Sequence, residues 1–198
     1  GAEMENLLRR MPVVLANGTL ALPDAYSVMV DDCRGVEMAV EHLVKTGRRN
    51  LYYIKDKSTD SAAAKAKGFL SGMAGAGLDA EGHILETGET LEDGIRAVQQ
   101  LLAEGIRPDG ILCGEDLTAA GVLKALIRAG IRVPEETAVV GYDNSTYARL
   151  CEPELTSVDN KPEQVALLCV QLLQSRIEHG EDYSSVTLQP ELVQRQSS

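Results

Sequence analysis

The sequence predicts an α/β fold in which parallel strands are covered by helices, and three observations carry that prediction. Short apolar runs and longer stripes of 3.6-residue period alternate in the order βαβαβαβ from Leu51 onward. Glycines stand where each stripe ends, at Gly47, Gly75 to Gly77, Gly105 and Gly130. The stretch from Asp109 to Tyr142 reads as strand, carboxylate-bearing turn, amphipathic helix, glycine stop and second strand, a βαβ unit that calls for a parallel sheet with helices on its faces.

Each element follows from its residues. The pattern over 4–11 suits the tail of a helix, and Pro12 hands over to the strand Val13-Val14-Leu15. A loop rich in Gly, Pro and Asp precedes a second strand, Tyr26 to Val30. Asp31 and Asp32 then stand at a strand end and helix start, where a carboxylate accepts bonds from unpaired N–H groups. The helix from Cys33 to Thr46 buries Val36, Ala39, Val40, Leu43 and Val44. Leu51 to Ile54 is a strand, and a helix from Ser61 to Ala76 carries Ala66, Phe69, Leu70 and Met73 on one face. His83 to Glu86 is strand-like. Thr90 caps a helix with Ile95, Val98, Leu101 and Leu102. Gly110 to Cys113, Leu117 to Ala129 and Ala138 to Tyr142 form a further βαβ unit. Pro162 opens the last helix, and Val186 to Leu188 and Leu192-Val193 supply terminal strands.

Composition narrows the function. The 198 residues hold 19 Lys and Arg against 30 Asp and Glu, a net charge of −11, so the chain repels a phosphate backbone and DNA contact would have to come from elsewhere. Cys33, Cys113, Cys151 and Cys169 form no C-x-x-C pair and sit in apolar runs, as reduced core thiols do. No stretch approaches the ~20 apolar residues of a membrane span. The start, GAEMENLLRR, lacks the apolar core of a signal peptide, which favours the cytoplasm. No P-loop, G-x-S-x-G elbow or H-E-x-x-H occurs, and His42, His83 and His179 lie far apart. The glycines of 72–77 close a helix instead of joining a strand to one, so they make no dinucleotide fingerprint. Neither an enzyme, a metal site nor a cofactor is expected.

Ligands of open parallel sheets sit beyond the carboxyl ends of the strands. Glu115 and Asp116 follow one such end. Asp116 can accept two hydroxyl protons from a sugar or ribose, or it can cap the following helix. Thr59 and Ser61 open a helix, where hydroxyls cap as readily as they bind. Gly141-Tyr142-Asp143-Asn144 ends a strand with residues that tolerate turn angles, and a structural role is expected there.

Three runs, E-D-L-T-A-A-G (115–121), R-A-G-I-R-V-P-E-E-T-A-V-V-G-Y-D-N (128–144) and P-E-L-T-S-V (153–158), resemble the effector-binding core of the lactose-repressor/galactose-repressor (LacI/GalR) transcription regulators. The resemblance implies a periplasmic-binding-protein-like fold of two Rossmann-like lobes that close around a small molecule. It implies a C-terminal subdomain over 32–159 and 183–198, with 1–31 and 160–182 as a partial N-terminal subdomain. It further implies a homodimer that senses a carbohydrate or related metabolite and reaches operator DNA through a headpiece outside this sequence. A transporter's solute-binding protein shares the fold and is the alternative; an α/β enzyme acting on a sugar or nucleotide is the third.

By the same resemblance Asp116 contacts the effector, Glu115 stands where relatives commonly have Asn, and hydroxyls fall near Thr59 and Ser61. Relatives place a gripping Arg three residues before a G-[FW] pair; here Lys65 precedes Gly68-Phe69 at that distance, and the planar fork is lost. Glu89 replaces a stacking aromatic, Ala16 replaces an Asp, and Asn160 matches a polar position. These departures imply an effector smaller, more cationic or differently shaped than a typical hexose.

Overall fold

A computed structural model describes residues 3, 6–7, 10–18, 26–55, 59–179 and 185–198. The strands are β1 (Val14–Ala16), β2 (Tyr26–Val30), β3 (Leu51–Lys55), β4 (Ile84–Glu86), β5 (Gly110–Cys113), β6 (Ala138–Tyr142), β7 (Thr156–Asp159), β8 (Val186–Leu188) and β9 (Glu191–Val193). The helices are α1 (Asp32–Lys45), α2 (Asp60–Gly75), α3 (Leu91–Ala103), α4 (Asp116–Arg128), α5 (Thr146–Leu150) and α6 (Pro162–His179). The helix expected over 4–11 falls largely outside the described residues.

The chain divides into two units, one of residues 1–31 with 161–189 and one of 32–160 with 190–198. In the first, β1, β2 and β8 form a parallel sheet, β2 at its centre. Val165 of α6 packs there with Val28 and Val30, joined by Leu168, Cys169 and Leu172.

The second unit carries a six-stranded sheet in the order β4-β3-β5-β6-β7-β9, parallel throughout except for the antiparallel pair β7–β9. Its central strands β3, β5 and β6 are buried on both faces, as their continuous apolar runs require. Tyr53, Leu112, Val140 and Val158 face α1 and α2, packing with Val40, Leu43, Phe69 and Met73. Their neighbours Ile54, Ile111 and Val139 point the other way, onto Val98 of α3 and Val122 and Leu126 of α4. A three-layer αβα stack results.

Two differences from the sequence expectation matter. The strand Val186–Leu188 bonds to β2 and belongs with the first unit, while only β9 and the residues after it join the second; Asn160 also lies in the second unit. Apolar content alone could not separate two adjacent three-residue strands, because each has equal claim on either sheet. The short helix α5 and strand β7 were likewise not foreseen as elements, α5 being a single turn and a half without a clear stripe.

Helices α3 and α4 meet on glycine. A Cβ at Gly94 would collide with the Thr118 carbonyl, and one at Gly121 with the Leu91 carbonyl. Substituting Gly121 with Val forces the two helices apart. The expected result is a fall in the thermal midpoint of about 5–10 °C, followed by circular dichroism, from an overpacking cost of about 1–3 kcal/mol.

Candidate functional site

The carboxyl ends of β3, β5, β6 and β7 lie along one edge of the second unit's sheet, and the chain places polar residues just beyond each. The helix starts near this edge fix them. Thr59 holds extended angles as the N-cap of α2, and its hydroxyl accepts from Ala62 N at 3.0 Å. Ser61, the second residue of the helix, donates to Asp32 Oδ2 at 2.5 Å. Asp32 Oδ1 accepts from the Tyr142 hydroxyl at 2.6 Å. Asp32 thus joins the start of α1 to α2 and to the end of β6, a role its position at a helix start did not reveal.

After β6 the backbone turns through left-handed angles at Asp143 (φ 94°) and Asn144 (φ 50°), the tolerance expected of these residue types. Asp143 Oδ1 accepts from Asn160 Nδ2 at 2.8 Å, and Asn144 Nδ2 donates to Asp159 Oδ2 at 3.0 Å. Asn160 Oδ1 is shielded from solvent without a hydrogen-bond partner. A half-buried carboxylate thus stands beside a buried, unpaired amide oxygen at a strand end. Sequence reasoning missed Asp143 because Gly-x-Asp-Asn at a strand terminus is accounted for by turn geometry alone.

Two predicted residues are corrected. Asp116 is 1% exposed, turned into the fold. Its Oδ2 accepts from Ser145 N at 2.6 Å and Ser145 Oγ at 2.9 Å, and its Oδ1 from Ser157 Oγ at 2.6 Å, so its acceptor capacity serves the protein. Lys65 is 5% exposed: its Nζ donates to the Gly114 carbonyl at 2.8 Å and lies 4.1 Å from the centre of the Tyr142 ring. A flexible stem lets the lysine fold back where a rigid guanidinium fork would project, and the ring face stabilises the charge in the interior.

The remaining candidates stand at the edge. Glu115 is the half-buried N-cap residue of α4, and its side chain makes no capping bond. Glu89 follows the edge strand β4, half-buried on the loop into α3, whose cap is the Thr90–Asp93 capping box. Asn160 joins Asp143 as described. Ser61 and Asn160 are therefore drawn into one polar strip with Asp32, Tyr142 and Asp143, while Lys65 turns inward, Glu115 follows β5 and Glu89 follows the sheet's edge strand β4. Among the described residues no group of His, Cys, Asp and Glu could hold a metal ion, and no helix is long and apolar enough to cross a membrane. The four cysteines are free thiols; burial pushes the Cys113 thiol far up, and the nearby Asp116 carboxylate adds to the effect.

The family described as periplasmic binding protein-like domain matches residues 40–198. An HTH-type transcriptional repressor PurR from Escherichia fergusonii is 31% identical over 193 residues, with 96% of this chain and 57% of that protein covered. An HTH-type transcriptional regulator from Lachnoclostridium phytofermentans is 28% identical over 190 residues, with 95% and 57% covered. The chain thus spans a little over half the length of these curated relatives. Among solved structures, a LacI transcriptional regulator from a Rhodococcus species is 30% identical with a TM-score of 0.91, covering 100% of this chain and 73% of the other.

Burial pushes the Asp116 carboxyl above the ordinary aspartate range, against the pull of its bonds to Ser157 and Ser145 and the charge of Arg195. The folded protein therefore holds this proton more tightly than the unfolded chain. Its contribution to stability is present below about pH 4 and is lost as pH rises through the raised midpoint. Carboxyl-carbon NMR should find that midpoint above that of exposed aspartates, and Asp116→Asn should flatten the corresponding part of the pH–stability curve.

Proposed function

The chain belongs to the periplasmic binding protein-like domains of LacI-type transcriptional regulators, and from that membership we propose that it is the effector-sensing part of a bacterial regulator. Its named relatives are regulators, which favours this reading over a transporter's binding protein. Its task is binding without turnover, in the cytoplasm where operator DNA lies, with DNA contacted through a headpiece outside the residues described.

The observation that carries the proposal is the polar strip at the carboxyl edge of the second unit's sheet, Ser61–Asp32–Tyr142 beside Asp143–Asn160. Half-buried carboxylates at a sheet edge suit a ligand rich in O–H or N–H donors. A carbohydrate or its amino derivative has that chemistry. A 28% identical regulator, CelR, was solved as a complex with cellobiose; it covers 93% of this chain and 58% of its own at a TM-score of 0.85. Glu89, Glu115 and the capping Thr59 extend the edge and bias it towards donors over anions.

We extend the proposal to a homodimer. Helices α4 and α5 enclose a groove of about 500 Å³ lined by Leu117, Leu123, Ile127, Tyr147, Leu150 and Cys151. Ile127, Tyr147 and Leu150 are 49%, 47% and 75% exposed. Lys124 and Arg128 lie on the same patch as Glu152. A two-fold axis can set the basic pair of one copy against the acid of the other, which is the self-complementarity an isologous contact needs.

Two measurements test these readings. A calorimetric screen of mono- and disaccharides, amino sugars included, should find a binder whose affinity falls about 10–100-fold in Asp143→Asn, which keeps the turn but removes the charged acceptor. No binder, or undiminished affinity, overturns the assignment. In sedimentation the chain should be a dimer and Leu150→Glu a folded monomer.

A further inference from the structure

The turn at the sheet edge and the apolar groove are two ends of one segment. Asp143 to Ser145 form the turn, and Tyr147, Leu150 and Cys151 reach the groove within the next six residues. Asp116 holds both. It is the first residue of α4, one wall of the groove, and its carboxylate receives the N–H and hydroxyl of Ser145, the residue that opens α5, the other wall. Ser145 does not cap α5 with its own side chain, because its hydroxyl, like its N–H, donates to Asp116 from across the fold.

The second carboxylate oxygen takes the Ser157 hydroxyl, and Ser157 Oγ in turn accepts from Asn144 N at 3.0 Å. Arg195 of the last segment donates to Asn144 Oδ1 at 2.5 Å and to the Leu155 carbonyl at 2.6 Å, clamping the two ends of the 144–155 loop. Gly141 leaves room for this: a Cβ there would occupy the space of Asp116 Oδ1. Ser157 is fully buried and Asp116 nearly so. The turn therefore cannot shift while α5 stays in place without stranding a buried donor, and a stranded donor is costly.

We infer that Asp116 is the positioning residue that makes the effector-side turn and the α4–α5 groove move as one body. This rests on the proposed sensing and dimer functions for its purpose, though not for its geometry. Effector contact at Asp143 and self-association at Leu150 would then bias the same element, as coupling between two sites requires.

The test combines amide hydrogen exchange with sedimentation on the whole chain, comparing the wild type with Asp116→Asn and Ser145→Ala. Both variants keep side-chain size close to the original, so either one sustains the test if the other fails to fold. The expected result is exchange raised about tenfold or more over 143–150 as one unit, with α1, α2 and β3 unchanged, and a dimer dissociation constant raised about tenfold. Wild-type protection of 146–150 in a folded variant would overturn the inference. So would faster exchange spread evenly over the second unit, which marks general destabilisation. A monomeric wild type would remove the dimer reading alone, and exchange over 143–150 would still decide the positioning role.

Discussion

A parallel sheet has to be covered on both faces, and most of the second unit follows from that constraint. Residues alternate sides along each strand, so Val139 and Val140 serve different helix layers one residue apart. With both faces apolar, polar side chains are confined to the ends of the strands. At the carboxyl end they meet the first turns of the helices, where unpaired N–H groups attract acceptors. The acidic and hydroxylated edge is thus a consequence of two-sided burial before it is a binding surface.

The same geometry decides which carboxylate goes inside. Asp116 and Asp143 both follow a strand, yet only Asp116 begins a long helix whose next turn packs against the sheet. Its side chain is carried beneath the β6–α5 turn, where Ser145 and Ser157 offer three donors. Burial of an ionised carboxylate is tolerable only with such compensation. Asp143, held by a left-handed backbone, is set at the edge, where it accepts from Asn160.

Much of the fold was legible in the sequence because periodicity and breakers act locally. Thr90 as a cap, Gly105 as a stop and Pro162 as a helix start each depend on neighbours within a turn. The division of Val186–Leu188 from Glu191–Val193 was not legible, since it is settled by partners more than thirty residues away in β7 and more than a hundred away in β2. The polar carboxyl edge was legible as a place, but which side chains face outward from it was less so. Ser61 and Asn160 join the strip, whereas the directions of Asp116 and Lys65 depend on Ser157, Ser145 and Tyr142, which no spacing rule connects to them.

Lys65 shows how one substitution can alter an edge's character. An arginine at this position would carry five donors in a fixed plane and could not satisfy them on one carbonyl and one ring. A lysine can bring its point charge to the Gly114 carbonyl and the Tyr142 face, and here it does. Tyr142 in turn directs its hydroxyl to Asp32, so the charge of Lys65 lies over the face of a ring whose hydroxyl reaches the charge of Asp32. The cation then stabilises the interior junction of α2, β5 and β6. The acids at the edge, Asp32, Asp143, Glu89 and Glu115, are left to set its electrostatic sign, which is the physical basis for expecting a ligand that donates hydrogen bonds.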